Sequence, residues 1–182
     1  ANGDWMLPIY HETGTDRERV PPDTTSLFLL YSPKTKQWTP TGRIRSANGN
    51  LQPSPAETQP GHLIALCRRG GGYGDDEKGY IVQSESTDGG RTWTQGHNTS
   101  FPNPNSAVEL LKLSSGKLLL IYNDSMSSRS PLTAALSSDG GKTWPIRVII
   151  ASGRNSYAYP SAAQSADGRI HLVYTSDERK VV

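Results

Sequence analysis

The chain has 182 residues and a net charge of +2, from 19 basic and 17 acidic side chains spread without any basic run. This balance excludes the polybasic surface of a nucleic-acid binder, and no apolar stretch reaches the roughly 18 residues of a membrane helix. The single cysteine, Cys67, excludes an intrachain disulfide, and the histidines lack metal-ligand spacing, so we expect no metal or cofactor.

The N-terminal sequence does not identify a compartment. It begins Ala-Asn-Gly-Asp-Trp, without Met and without the charged and apolar regions of a signal peptide. We therefore expect a processed or truncated end. Secreted, periplasmic and cytoplasmic locations all stay open.

The first predicted elements are short β-strands, because the 18 glycines and 13 prolines interrupt every window long enough for an amphipathic helix. A first unit has an apolar strand at residues 26–32, followed by Trp38. A second unit has a strongly apolar strand at 62–68 and ends in the octapeptide Ser-Thr-Asp-Gly-Gly-Arg-Thr-Trp at 86–93. Both faces of strand 62–68 are apolar, which predicts a sheet stacked between two other sheets.

The next predicted elements repeat that order. An apolar strand at residues 117–122 precedes Ser-Ser-Asp-Gly-Gly-Lys-Thr-Trp at 137–144, so the octapeptide returns after 51 residues. A further unit begins at residue 159 and turns at 166–168. Four-stranded units that repeat at about 50 residues are typical of β-propeller blades.

The repeat predicts one all-β domain, residues 1–182, with about three and a half propeller blades of four-stranded antiparallel sheets. The expected blades are residues 1–48, 49–101, 102–152 and an incomplete 153–182. In each octapeptide we expect a structural role for the aspartate, Asp88 or Asp139, which can accept hydrogen bonds from its own turn. Acid–base catalysis would need neighbouring carboxylates, and equivalent turns on adjacent blades lie too far apart.

The octapeptides resemble the Asp-box of the sialidase (neuraminidase) superfamily, also called the bacterial neuraminidase repeat. Further segments are similar to bacterial sialidase-like proteins with these repeats: residues 5–10, 50–54, 61–68, 103–106, 119–124 and 156–160. The resemblance covers nearly the whole chain but only the C-terminal part of the family's domain. It implies a six-bladed propeller and a retaining hydrolase that removes a terminal acidic sugar.

Family membership would also imply roles for individual residues. Sialidases bind the substrate carboxylate through three arginines, and Arg68 and Arg129 resemble the second and third of these. Tyr159 resembles the tyrosine nucleophile, with Tyr157 as its rival. Arginine binds a carboxylate through two parallel bonds, and a neutral tyrosine avoids repulsion with an anionic sugar.

The chain departs from the family pattern at the glutamate that assists the tyrosine. Gln52 stands roughly at that position, and a glutamine cannot take a proton. Glu57 is the nearest carboxylate and is the alternative base, although it also fits a strand end that faces solvent. The first arginine and the acid–base aspartate are expected in N-terminal blades that this chain does not contain.

We expect the remaining ligand contacts from Gln52, Tyr157, Asn105 and Asp124. Asn105 and Asp124 could bind sugar hydroxyls or close turns, and Tyr157 could instead be an ordinary strand aromatic. Two other functions stay open. A non-catalytic carbohydrate-binding module would keep both arginines, and a purely structural fragment would use its blades as scaffold. Because half a propeller leaves open edges and apolar faces, we expect self-association or a complementary propeller half.

Overall fold

The computed structural model describes residues 3–15, 19–72, 79–177 and 180–182. Within these ranges the chain forms strands and no helix, and so contains no helix that could cross a membrane. The strands are β1 (Trp5–His11), β2 (Thr25–Ser32), β3 (Gln37–Pro40), β4 (Asn50–Gln59), β5 (His62–Arg69), β6 (Tyr80–Ser86), β7 (His97–Pro102), β8 (Glu109–Lys112), β9 (Leu118–Asn123), β10 (Leu132–Ser137), β11 (Ile146–Ala151), β12 (Tyr157–Gln164), β13 (Ile170–Ser176) and β14 (Lys180–Val181).

The strands form four antiparallel sheets, each a meander of consecutive strands. β4 to β7 and β8 to β11 make four-stranded sheets, whereas β1 to β3 and β12 to β14 make three-stranded ones. The first strands of successive sheets contact each other, β1 with β4, β4 with β8 and β8 with β12. The sheets therefore stand side by side with their first strands together, and the all-β prediction with four-stranded antiparallel sheets is confirmed.

The hydrophobic core lies between the sheets rather than within one layer. Alternate residues of β5 point to opposite faces: Ala65 and Cys67 pack against Phe28 of the first sheet, whereas Ile64 and Leu66 pack against the third. Desolvation in this core raises the pKa of the Cys67 thiol to about 12, so Cys67 is a small buried hydrophobe. Two-sided burial explains why β5 is apolar along its whole length.

Each octapeptide forms a turn that its own aspartate holds together. One oxygen of Asp88 accepts bonds from the backbone N–H groups of Arg91 and Thr92, both at 2.9 Å, and the other accepts the Thr92 hydroxyl at 2.6 Å. Asp139 accepts the same pair of bonds from Thr143. These bonds, with the Thr92 hydroxyl first, lower the pKa of Asp88 to about 2. Both carboxylates act inside their own turns.

The octapeptides also join neighbouring sheets. Gly141 has φ of 92°, and a Cβ there would lie 2.9 Å from Cδ1 of Ile64 in the preceding sheet. Trp144 packs into the same cluster, and its indole N–H donates to the Gly141 carbonyl at 3.0 Å. The repeated sequence is therefore the contact between one blade and the blade before it.

Candidate functional site

The candidate site is marked by unusual backbone geometry. Four of the described non-glycine residues have positive φ, and three of them are predicted site residues: Gln52 at 50°, Asn105 at 59° and Tyr159 at 52°. The left-handed region is unfavourable for side chains with a Cβ and recurs at functional sites. Gln52 and Tyr159 each lie at a register shift, in β4 and β12 respectively. Such irregularities re-aim a side chain out of the regular alternation of a strand.

Arg68 is the centre of a first cluster of predicted site residues, with Gln52 and Asn105. It lies near the end of β5, is 6% exposed, and pairs with Leu51 in the register of the hairpin. Its Nε donates to Oδ1 of Asn105 at 2.7 Å, and its Nη1 donates to Oε1 of Gln52 at 3.0 Å. Gln52 belongs to the same sheet, whereas Asn105 belongs to the segment that enters the next one. The guanidinium therefore connects two sheets.

Arg129 and Tyr159 form a second cluster. The Arg129 guanidinium lies over the Tyr159 ring, 5.4 Å from its centroid. Tyr159 is 51% exposed, and both residues line an open cavity of about 360 Å³ with Thr175 and Asp177. An arginine stacked on a tyrosine face is a favourable cation–π arrangement. A cation and an accessible phenol thus lie beside one cavity.

Tyr157, the rival of Tyr159, has a different environment. It is 8% exposed, its ring packs edge-on against Tyr174, and its hydroxyl donates to the Ser152 carbonyl at 3.0 Å. A regular strand would place Tyr157 and Tyr159 on one face. The left-handed backbone at Tyr159 breaks that alternation, so one phenol is buried and the other reaches solvent.

Glu57 lies at the other end of β4. Its Oε1 accepts the backbone N–H of Gly61 at 2.9 Å, in the turn that leads to β5. That bond is the main reason why the pKa of Glu57 is lowered. Glu57 lies five positions after Gln52, or ~16 Å along the strand. The structure does not bring Glu57 together with Gln52 and Arg68.

Asp124 lies beside the loop that carries Arg129. Its Oδ2 is 4.0 Å from Nη1 of Arg147 on β11, and its backbone N–H donates to the Pro131 carbonyl at 3.1 Å. Asp124 is thus tied to the outer strand of its sheet. Next to it, the Asn123 side chain donates to the Tyr157 carbonyl at 3.0 Å and links the third sheet to the fourth.

Sequence reasoning missed two polar residues beside Tyr159. Thr175 donates to the Ala158 carbonyl at 3.0 Å, and Asp177 accepts the backbone N–H of Ser156 at 2.6 Å. Thr175 is the strand partner of Ala158, so only the register of the β12–β13 hairpin could have indicated it. No cluster of metal-ligating side chains occurs among residues 3–15, 19–72, 79–177 and 180–182.

A second, larger cavity is not lined by Arg68, Arg129 or Tyr159. It has a volume of about 420 Å³ and is lined by Met6, Glu57, Asp88 and Arg91 among others. It lies between the first two sheets, at the end that carries the octapeptide turn. The residues predicted to bind the ligand carboxylate lie elsewhere, so we do not assign the candidate site to this cavity.

Comparisons with known proteins agree with the observed fold. Residues 1–172 match the model of a family described as the BNR repeat-like domain, and no protein of curated function matches. The Hadza microbial sialidase Hz136 is similar in structure, with 23% identity and a TM-score of 0.70 over 95% of this chain and 33% of that one. The intramolecular trans-sialidase from Ruminococcus gnavus has 20% identity and a TM-score of 0.70 over 94% and 36%.

A protein of unknown function from Dyadobacter fermentans is also similar, with 18% identity and a TM-score of 0.72 over 95% of this chain and 46% of that one. At such low identity these likenesses establish the fold. They confirm the predicted sialidase type of β-propeller sheets, and this chain spans less than half the length of each of these structures.

Proposed function

The chain belongs to the BNR repeat-like domain family, and from this premise we propose that it forms part of a sialidase-type site that binds the carboxylate of a terminal acidic sugar. In this proposal Arg68 and Arg129 bind the carboxylate. Tyr159 faces the sugar, and the adjoining cavity receives it.

The observation that carries the proposal is the burial of Arg68 together with its two side-chain hydrogen bonds. Arg68 is 6% exposed, and its guanidinium is fixed by one side chain from its own sheet and one from the segment that enters the next sheet, so it is a preorganised group. Burying a charged group is costly, and arginine is suited to bind carboxylates with defined geometry. A surface arginine that only adds charge would need no such support.

Hydrolysis is the first form of this function. Tyr159 would attack the anomeric carbon as the glycosidic C–O bond breaks and the leaving oxygen takes a proton from the acid, and water would then release the sugar from the tyrosine, as in the tyrosine-dependent exception among retaining glycosidases. A phenol with an ordinary pKa near 10 needs a base to be an effective nucleophile. The other arginine and the acid–base aspartate of such a reaction would come from outside the segments that resemble the family here.

A non-catalytic carbohydrate-binding module is the second candidate, and Gln52 favours it. Gln52 stands where the family resemblance expects the glutamate that assists the tyrosine, and its Oε1 accepts from Arg68. An amide cannot accept the proton of a phenol. Glu57 is bound to Gly61 at the far end of the strand, so it offers Tyr159 no evident substitute.

An association partner is a further part of the proposal. The outer face of the first sheet presents a row of aromatic rings, in which Trp5 and Trp38 are 65% and 50% exposed and both contact Tyr31. On β11, Val148 and Ile149 are 58% and 61% exposed. Exposed apolar surface of this kind marks an interaction site, which supports self-association or a complementary propeller half.

Binding of the methyl α-glycoside of N-acetylneuraminic acid tests the proposal. Isothermal titration of the wild-type chain should give saturable binding, with Arg68→Ala weakening it at least tenfold and Arg129→Ala several-fold. Arg169→Ala, which removes the same charge from a side chain that is 80% exposed in the β12–β13 turn, is the matched control. No binding by the wild type, or equal losses in all three variants, would refute the proposal.

A fluorogenic sialoside separates the two candidates. Release of the fluorophore by the wild type, abolished in Tyr159→Phe, would establish hydrolysis. Sialoside binding without release would establish the binding module.

A further inference from the structure

We infer that Gln52 and Asn105 are positioning residues, which orient the Arg68 guanidinium for the ligand carboxylate instead of contacting the sugar. The inference rests on the function proposed above. It assigns to both amides a role different from the sugar contact expected from the sequence.

The hydrogen bonds give this orientation. Nε and Nη1 of Arg68 donate to two oxygens, one from the segment that enters the next sheet and one from β4 of the same sheet. Two bonds to adjacent nitrogens of a planar group fix both its position and the direction of its plane. Asn105 is itself held, because its Nδ2 donates to the Gly71 carbonyl at 2.9 Å. Asn105 is 1% exposed, so its side chain is part of the wall behind the guanidinium.

Backbone conformation supports the same conclusion. Gln52 and Asn105 have φ of 50° and 59°, a region in which glycine is the least strained residue. A non-glycine residue persists there when its side chain has a use that outweighs the strain. In both cases the amide bonded to Arg68 is that use.

The choice of amides has an electrostatic consequence. An amide oxygen orients a guanidinium without adding a negative charge beside it. A carboxylate of the same shape would keep the hydrogen bond but would repel the carboxylate of the ligand. Gln52→Glu therefore separates the orientation of Arg68 from its availability to an anion. Asn105→Asp adds the same charge but also loses the bond from Asn105 to the Gly71 carbonyl.

The test compares an acidic sugar with its neutral ester. Affinities of the N-acetylneuraminic acid methyl glycoside and of its methyl ester are measured for wild type, Asn105→Asp, Gln52→Glu and Asn105→Ala. We expect the free acid to bind about tenfold more weakly to each variant, with the ester unchanged. A parallel loss for acid and ester would mean direct sugar contact and would overturn the inference. Gln37→Glu, which adds the same charge on exposed β3, should change neither affinity.

A second measurement does not depend on the ligand. In a ¹⁵N NMR spectrum the Arg68 Nε–H should give a slowly exchanging signal in the wild type and in Gln52→Glu, where the bond from Nε to Asn105 remains, and lose this protection in Asn105→Ala. An unchanged signal in Asn105→Ala would overturn the inference even if the sugar binds. Protection lost as expected, with no sugar bound by the wild type, would overturn the proposed function while establishing the orientation of Arg68. The near-isosteric Gln52→Glu variant keeps the test decisive if Asn105→Ala does not fold.

Discussion

Gln52 and Tyr159 occupy the same position in two different sheets. Each directly follows the residue that pairs with its partner strand, at Arg68 in one hairpin and Thr175 in the other. Each has a φ near 50°, and a proline and a serine come next in both sequences. The first strands of these two sheets therefore each carry one left-handed residue at this point, and the identity of that residue decides which side chain is presented there.

The equivalence explains how one repeated fold can build a site from different chemistry. At the first position the side chain turns to the arginine of its own hairpin. At the second, the corresponding partner is a threonine, and the tyrosine instead meets Arg129 from the preceding sheet. Backbone geometry is shared, whereas the function depends on which side chains occupy it.

Phenylalanine substitutions at the two tyrosines of β12 should have different effects, one on stability and the other on hydrolysis. Tyr157→Phe removes a buried hydrogen bond to the Ser152 carbonyl and should lower the unfolding free energy by about 1 kcal/mol. Tyr159→Phe changes an exposed side chain and should leave thermal unfolding unchanged while it abolishes any sialoside hydrolysis. Thermal melts and the fluorogenic assay on both variants check this, and the reverse pattern would contradict the assignment.

Alanine in the octapeptide should loosen the contact between two sheets. Gly141→Ala combines a φ of 92° with a close approach to Ile64, so we expect a loss of about 2–4 kcal/mol from backbone strain and overpacking. Gly116→Ala is the control, because φ there is 82° but no atom lies within 4 Å of the new Cβ. It should cost only about 1 kcal/mol of strain. Equal losses in urea unfolding would show that the contact with Ile64 is unimportant.

Acid should remove the contribution of Asp88 to stability. Its pKa is lowered to about 2 by the bonds from Thr92, Ser86 and Arg91, below its value in the unfolded chain. The folded state therefore gains stability above pH ~4, which is lost as the pH falls toward 2. Asp88→Asn should cost about 1 kcal/mol at pH 7, after allowance for solvent screening, and much less near pH 2.

Urea unfolding of wild type and Asp88→Asn across that range measures the difference. Glu12→Gln, an exposed change outside the turns, is the control and should follow the wild type. A constant gap between Asp88→Asn and wild type at every pH would mean that the charge of the carboxylate does not matter.

Glu109 should have the opposite effect of pH on stability from Asp88. Burial raises its pKa to about 6, although a bond from the Ala162 backbone N–H opposes the shift. Because this pKa exceeds that of the unfolded chain, the folded state binds the proton more tightly, and stability rises as the pH falls from about 6 to 4.5. Glu109→Gln mimics the protonated form, keeps an acceptor for Ala162, and should be at least as stable as wild type at pH 7.5.

The free energy of unfolding at pH 7.5, 6 and 4.5 decides this prediction. The advantage of Glu109→Gln should shrink by about 1 kcal/mol across that interval. A constant difference between the two proteins would show that the carboxyl of Glu109 has an ordinary pKa.

Local patterns in the sequence determined the sheets. The paired octapeptides, the apolar strands between them and the glycine turns act over a few residues, so their consequences are visible before any long-range contact is known. Burial of β5 on both faces, with Cys67 in one cluster and Leu66 in the other, follows from that alternation. The likeness to sialidases came from the same segments.

The site depended on contacts between distant segments. Arg68 forms a hydrogen bond with Asn105, which lies 37 positions later in the sequence, and neither residue type by itself indicates that bond. The different environments of Tyr157 and Tyr159 also lay outside the sequence pattern, because regular alternation places both on one face and only the left-handed backbone separates them. Strand periodicity is a local property that the sequence alone reveals, whereas a bulge and the packing of one sheet against the next are decided by the whole fold.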